Sequence, residues 1–227
     1  MQQGNTAVII LKELKAKPEY KGVVMLEISI SYPEVIIAGN EAVSIRISTF
    51  YNHMARRAFN HAMHNMYESA VQEYKDSIKN NFPFRSYDVV SIYNVTYNKN
   101  GFLSIYSDNY EYTGGAHGNT IRQADSFNTS SGAHMALNDF FKHPYYRQVI
   151  LSSIFRQINA QISKGQDIYF DDYQKNVFEY FSEKNYYITN DGFAIYFPLY
   201  SIAPYVAGII VFVTPFADFG VNLKYKL

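Results

Sequence analysis

From Ile47 onward apolar residues fall three or four apart as far as Ile78: Ile47, Tyr51, Met54, Ala58, Ala62, Met66, Ala70, Tyr74 and Ile78. That spacing is the stripe of an amphipathic helix. A stripe this long needs an equally long apolar surface to cover, and this limits the fold more than any other feature. Asn80-Asn81-Phe82-Pro83 supplies the stop. Such a helix would run about 50 Å at 1.5 Å per residue, so a bend or break is expected near Asn60–Asn65.

The surface has to come from strands. Val23–Tyr32 alternates well enough for one, and Pro33 is expected to end its regular pairing. After the helix comes a β meander. Tyr93, Val95 and Tyr97 alternate with Asn94 and Thr96, and Asn98-Lys99-Asn100-Gly101 turns the chain into 102–107. A strand through Tyr110–Tyr112 meets a glycine loop, with 120–127 as its return and a turn at 128–132.

Asn138 is a plausible N-cap and Pro144 can open a helix at its first position. Tyr146, Ile150, Ile154, Ile158 and Ile162 then form a helical stripe that stops at Gly165. A second helix is expected over 173–181. The segments 186–188 and 193–197 flank Asn190-Asp191-Gly192, a hairpin signal. Ile209–Val213 reads as a buried strand closed by Pro215. Strands and helices do not alternate regularly, so the class is α+β: antiparallel sheets, a long helix in the N-terminal half, and two packed lobes over 17–118 and 119–227.

The charge balance narrows the functions. Twenty basic and twenty acidic residues cancel, and each half is within one charge of balance: eleven basic and ten acidic in residues 1–109, nine and ten in residues 110–227. Neither half carries the one-signed field of a nucleic-acid binder. Cysteine is absent, which removes disulfides, thiolate nucleophiles and cysteine metal cages. No run approaches the roughly 20 apolar residues of a membrane span. The start Met1-Gln2-Gln3-Gly4-Asn5 has neither the charged nor the apolar region of a leader. It fits either a cytoplasmic protein or a mature fragment whose leader or anchor was removed.

Tyr112-Thr113-Gly114-Gly115-Ala116-His117-Gly118 is the most pointed local motif. Backbone amides in a glycine turn can cradle an anion, but the Gly-Lys-Ser/Thr ending of a phosphate loop is missing. Letting two backbones approach at a strand end is the plainer job. His117 is then a structural hydrogen-bonder or part of a binding surface. His61 and His64 share a helix face without a third ligand, so no metal is assigned. Asp171-Asp172 fit the start of a helix. Asp88, Asp108 and Glu111 lie in the sheet and could serve a cell-wall polysaccharide hydrolase or esterase if two faced each other. No Gly-x-Ser-x-Gly elbow marks a serine hydrolase. No catalytic residue is assigned and no cofactor is expected.

Several phrases in order resemble one family: Ile30-Ser31-Tyr32-Pro33; Phe102-Leu103-Ser104-Ile105 leading into Tyr110–Gly118; Ser126-Phe127-Asn128 with Ser131-Gly132; Leu137-Asn138-Asp139-Phe140-Phe141; and Tyr186–Asp191. The last phrase is Phe197-Pro198-Leu199-Tyr200-Ser201-Ile202-Ala203-Pro204-Tyr205-Val206-Ala207-Gly208. Together they are similar to the RsiV-like, PdaC-N-terminal-like paired domains of unknown function. Those domains occur in the ectodomain of lysozyme-sensing anti-sigma factors and ahead of the catalytic domain of peptidoglycan deacetylases.

The resemblance implies a bacterial envelope protein, extracellular or tethered on the outer face of the cytoplasmic membrane. It implies a non-catalytic binding or sensing role, because the deacetylase activity resides in a different domain. The expected partner is a peptidoglycan fragment or an envelope protein such as lysozyme, with no nucleic acid and membrane contact only through a removed anchor. A structural spacer is the remaining alternative. Tyr110, Tyr112, His117, Tyr200 and Tyr205 are the candidate binding surface, tyrosine rings covering apolar faces while polar tips orient the ligand. The competing reading is that Tyr200 and Tyr205 pack the Pro204 turn.

Overall fold

The computed structural model describes residues 6–227; Met1–Asn5, and with them the reading of the chain's start, lie outside the described residues. Two compact units interleave along the chain. One holds Val8–Tyr93 and Ser107–Ile121; the other holds residues 6–7, Asn94–Tyr106 and Arg122–Leu227.

The first unit begins with β1 (Val8–Ala16), a small hairpin of β2 (Glu19–Tyr20) and β3 (Val23–Val24), and β4 (Leu26–Ile36). The long helix follows as α1 (Glu41–His61), a π-helical turn over Ala62–Met66, and α2 (Tyr67–Asn80). It leads to β5 (Tyr87–Lys99), β6 (Phe102–Tyr112) and β7 (Asn119–Asn128), three strands that continue into the second unit.

The strand order is β1-β4-β5-β6-β7, with β1 antiparallel and β5 parallel to β4. A parallel neighbour cannot be reached by a tight turn. The helix is the crossover that makes β4 and β5 parallel, and its apolar stripe covers Met25, Leu26, Ile28, Ile30, Tyr87 and Val89.

The irregularity expected near Asn60–Asn65 takes the form of one wide turn, in which the Tyr67 N–H reaches back to the Ala62 carbonyl. A π turn inserts one residue without losing the backbone ladder. Pro33, in contrast to the sequence expectation, does not end its strand: β4 continues to Ile36, and Pro33 pairs with Leu11. The β4–β5 pairing stops at Ile30–Ser91. The N–H that proline lacks therefore falls on an edge that β5 has already left, where a strand tolerates proline.

In the second unit β8 (Tyr186–Ile188), β9 (Gly192–Phe197) and β10 (Ile210–Pro215) form an antiparallel sheet with β9 in the middle. All six residues of β9 are buried. Helix α3 (Tyr146–Ile162) contributes Ile150, Ile154 and Ile158 to a core built around Phe140, Phe193, Phe197 and Phe212. A shorter α4 (Tyr173–Tyr180) adds Val177. Aromatic rings dominate: Phe141 stacks on Tyr146 at 4.3 Å. The expected helices, the 190–192 hairpin turn and the Pro215 terminus are all present.

Asn138, however, caps nothing. It lies inside a short 3-10 turn, Leu137–Phe140, whose first free N–H, that of Ala136, donates to the Asp139 carboxylate at 2.8 Å. The class is α+β, with the long helix in the N-terminal half.

Candidate functional site

The Tyr110–Gly118 loop is held by its own side chains. A Cβ on Gly118 would lie 2.3 Å from Cε2 of Tyr110, so glycine is needed there for the ring to lie against the backbone. The Tyr112 hydroxyl donates to the Gly115 carbonyl at 3.0 Å and accepts from Arg85 at 3.4 Å. Beneath Gly114 lies the Glu73 carboxylate from α2, which also accepts the Tyr87 hydroxyl at 2.6 Å. Burial, and then this bond to Glu73, push the Tyr87 phenol up to about 12. His117 is exposed at the tip, its Nδ1 3.0 Å from the Gly118 carbonyl. Tyr110 and Tyr112 thus build the loop, and His117 is what the loop presents.

Tyr200 and Tyr205 lie in the second unit, so the five candidate residues fall into two groups. Between them the chain turns: the Ser201 N–H and hydroxyl both bond the Pro198 carbonyl, and Phe170 N–H holds the Ile202 carbonyl. Ile202 and Ala203 are buried, which anchors the turn. The two rings meet at 5.6 Å, tilted by 33°. Tyr200 is 52% exposed and Val206 91%.

Tyr200 also has φ +63°. The left-handed region costs a residue with a Cβ roughly 1–2 kcal/mol. A strained backbone that displays an aromatic ring to solvent is the kind of outlier that marks a functional position.

A groove in the first unit went unseen in the sequence. Beyond Ile30 the edge of β4 has lost β5, and α1 covers it instead. The Ser48 hydroxyl accepts from Val35 N–H at 2.8 Å and donates to the Val35 carbonyl at 3.1 Å. The Ser44 hydroxyl accepts from Ile37 N–H at 2.8 Å and donates to the Asn40 carbonyl at 2.9 Å. Two serines four apart on a helix rise about 6 Å, close to the about 6.6 Å between alternate strand residues, so the pairs stay in step. Alongside runs an open groove of about 720 Å³ that includes Glu34, Ile36, Ile45 and Ser48 in its lining. It continues into a smaller hollow of about 280 Å³ reaching Lys12, Tyr32 and Asn52. Lys12 and Glu34 pair there at 3.1 Å.

The acidic candidates separate. Asp108 and Glu111, three apart on β6, point to opposite faces of a regular pleat. Asp88 sits directly across from Glu27 in the parallel β4–β5 register. Burial first, and then the Glu27 carboxylate, raise its pKa. Glu27 in turn pairs with Lys17 at 2.7 Å. Among the described residues no three histidine or carboxylate side chains are gathered to hold a metal ion, and no helix is long and apolar enough to cross a membrane.

Comparison with known proteins divides the chain in the same order as the sequence phrases. Residues 22–120 match the family described as deacetylase PdaC, and residues 138–217 match the DUF3298 family, described as a protein of unknown function. No curated protein matches the chain. A DUF3298 family member from Bacteroides fragilis is 16% identical, with a TM-score of 0.69 over 97% of this chain and 95% of its own. A DUF3298 family protein from Pseudomonas aeruginosa PAO1 is also 16% identical, with a TM-score of 0.62 over 97% and 94%. At that identity the likeness concerns the fold.

Proposed function

We propose, from the matches of residues 22–120 to the PdaC family and of residues 138–217 to the DUF3298 family, that the chain is a non-catalytic binding or sensing module of the bacterial envelope. On this reading it works outside the cell or tethered on the outer face of the cytoplasmic membrane. The observation that carries the reading is Tyr200: an exposed ring on left-handed backbone, paired with Tyr205.

Rings held in this way offer flat apolar faces with hydroxyl tips, the chemistry that covers one face of a sugar. The ligand favoured is a peptidoglycan fragment. A strongly basic protein such as lysozyme would call for an acidic surface, and the chain's charges balance. The Tyr110–Gly118 loop, with His117 at its tip and its backbone fixed before any ligand arrives, is a second contact surface in the proposal; a prefixed loop loses little entropy on binding.

Calorimetric titration of the 227-residue chain with muropeptides, and separately with lysozyme, tests this at concentrations up to about millimolar. The reading expects saturable heat with muropeptides and at least about a tenfold loss of affinity, about 1.4 kcal/mol, in Tyr200→Gly. Glycine accepts the left-handed backbone, so this variant removes the ring without straining the turn. Absence of heat with both ligands overturns the ligand assignment. Undiminished binding by Tyr200→Gly overturns the surface.

A further inference from the structure

Between Glu41 and Glu68 the chain has no acidic residue and no lysine, yet it holds three of the seven arginines and three of the six histidines. Helix α1 and the π turn fold this segment so that Arg46, Arg56, Arg57, His53, His61 and His64 are all exposed. Val43, Ile47, Tyr51 and Ala55 take the buried side. Arg46, His53, Arg57 and His64 follow one another in steps of seven, four and seven, which keeps them on one face. Among the described residues neither Arg46 nor Arg57 has an ion-pair partner, while Arg56 donates to Asn52 of its own helix at 2.7 Å. An exposed helix normally mixes its charges; this one, past Glu41, carries a single sign as far as Tyr67.

We propose that this face of α1 docks a linear phosphate-bearing polymer lying along the helix. The fixed cations on this face, Arg46 and Arg57, are both arginines, whose forked guanidinium matches a phosphate oxygen pair in a way that lysine does not. The histidines add N–H donors between them. Arg46 and Arg57 stand about 16 Å apart along the axis, and His64 a further about 10 Å, so no single small anion can engage them together. A chain of anions can. The face is one helix wide, and Ile45, the large exposed apolar residue of α1, lines the groove instead of flanking the arginines. A line of charge without apolar anchors beside it fits an extended polymer better than a lipid surface.

The test uses the 227-residue chain and long-chain inorganic polyphosphate, with tripolyphosphate, phosphatidylglycerol vesicles and a single-stranded oligodeoxynucleotide as comparison probes. Long-chain polyphosphate is expected to bind, with an affinity that falls as salt rises. Tripolyphosphate is expected to bind at least about tenfold more weakly. Arg46→Glu/Arg57→Glu should cost at least about tenfold in affinity and flatten the salt dependence. Lys164→Glu/Lys175→Glu makes the same change in charge on exposed sites elsewhere and should leave binding unchanged; thermal melts establish that both double variants are folded. Equal losses in the two variants, or no binding of polyphosphate, overturn the proposal. Tighter binding of vesicles or of the oligonucleotide than of polyphosphate overturns the choice of partner.

Discussion

Replacing Ser48 by alanine should destabilise the first unit far more than an exposed helical serine normally would. The hydroxyl serves both backbone groups of Val35, accepting the N–H at 2.8 Å and donating to the carbonyl at 3.1 Å. Val35 is 1% exposed, so water cannot take over. Each buried backbone group left unpaired costs about 1–3 kcal/mol, and part of the carbonyl's loss can be relaxed away. The expected total is about 2–4 kcal/mol, or a fall in Tm of about 4–16 °C for a chain of this length.

Ser69 provides the comparison within the same long helix. Its hydroxyl donates at 3.0 Å to the Asn65 carbonyl one turn back and is exposed, so Ser69→Ala should change stability by less than about 0.5 kcal/mol. Urea unfolding followed by far-ultraviolet circular dichroism reads both variants. Because the chain has two units, the transition belonging to the first is compared rather than a single midpoint. If Ser48→Ala is no more costly than Ser69→Ala, α1 is not what completes the edge of β4.

Three further outcomes follow from the packing. Gly192→Ala should cost several kcal/mol, at or beyond the upper end of the about 1–3 kcal/mol typical of overpacking, because the new Cβ would lie 2.0 Å from the Thr214 backbone oxygen; Gly115→Ala, with nothing within 4 Å, should be nearly silent in the same denaturation assay. Thr214→Val should stabilise by about 1 kcal/mol, since it removes a buried hydroxyl oxygen that has no hydrogen-bond partner; destabilisation by that amount would show that the hydroxyl is satisfied in solution. Tyr87 has a folded pKa raised to about 12, so its contribution is complete below the unfolded value of about 10 and is lost as pH climbs from about 10 to 12. Wild-type stability should therefore drop more than that of Tyr87→Phe across this window, and parallel profiles would contradict the assignment.

Features set by neighbours in the chain were legible in the sequence. The stripe from Ile47 to Ala70, the 190–192 turn and the isoleucines of α3 each follow a local period or turn chemistry, and each folds as that period dictates; at the end of α2 the stripe fails, with Ile78 exposed and Ser77 buried. What escaped depends on distant partners. Pro33 looks like a strand end until one sees that β5 has left that edge of β4. Asp88 drew attention alongside Asp108 and Glu111, but its close acidic neighbour is Glu27, more than sixty residues away and brought there by the parallel register.

Ser44 and Ser48 read as ordinary helix-surface serines. The usable signal was a Ser-x-x-x-Ser pair just past the start of a helix that follows a strand directly. The motif residues themselves were found, but their division of labour was not. Whether a tyrosine builds a loop, as Tyr112 does through Gly115, or displays its ring, as Tyr200 does, depends on backbone angles and on Arg85, far off in sequence.

On the proposed function this chain holds a ligand on aromatic surfaces and leaves it unchanged. Amide and aromatic NMR spectra of the labelled chain, recorded while a defined muropeptide is added and with the muropeptide's own signals followed alongside, decide between holding and turnover. Saturable shifts confined to residues 198–208 and 110–118 are expected, with the muropeptide recovered intact. Shifts centred on Glu27 and Asp88, together with cleavage or deacylation of the muropeptide, would contradict the proposal.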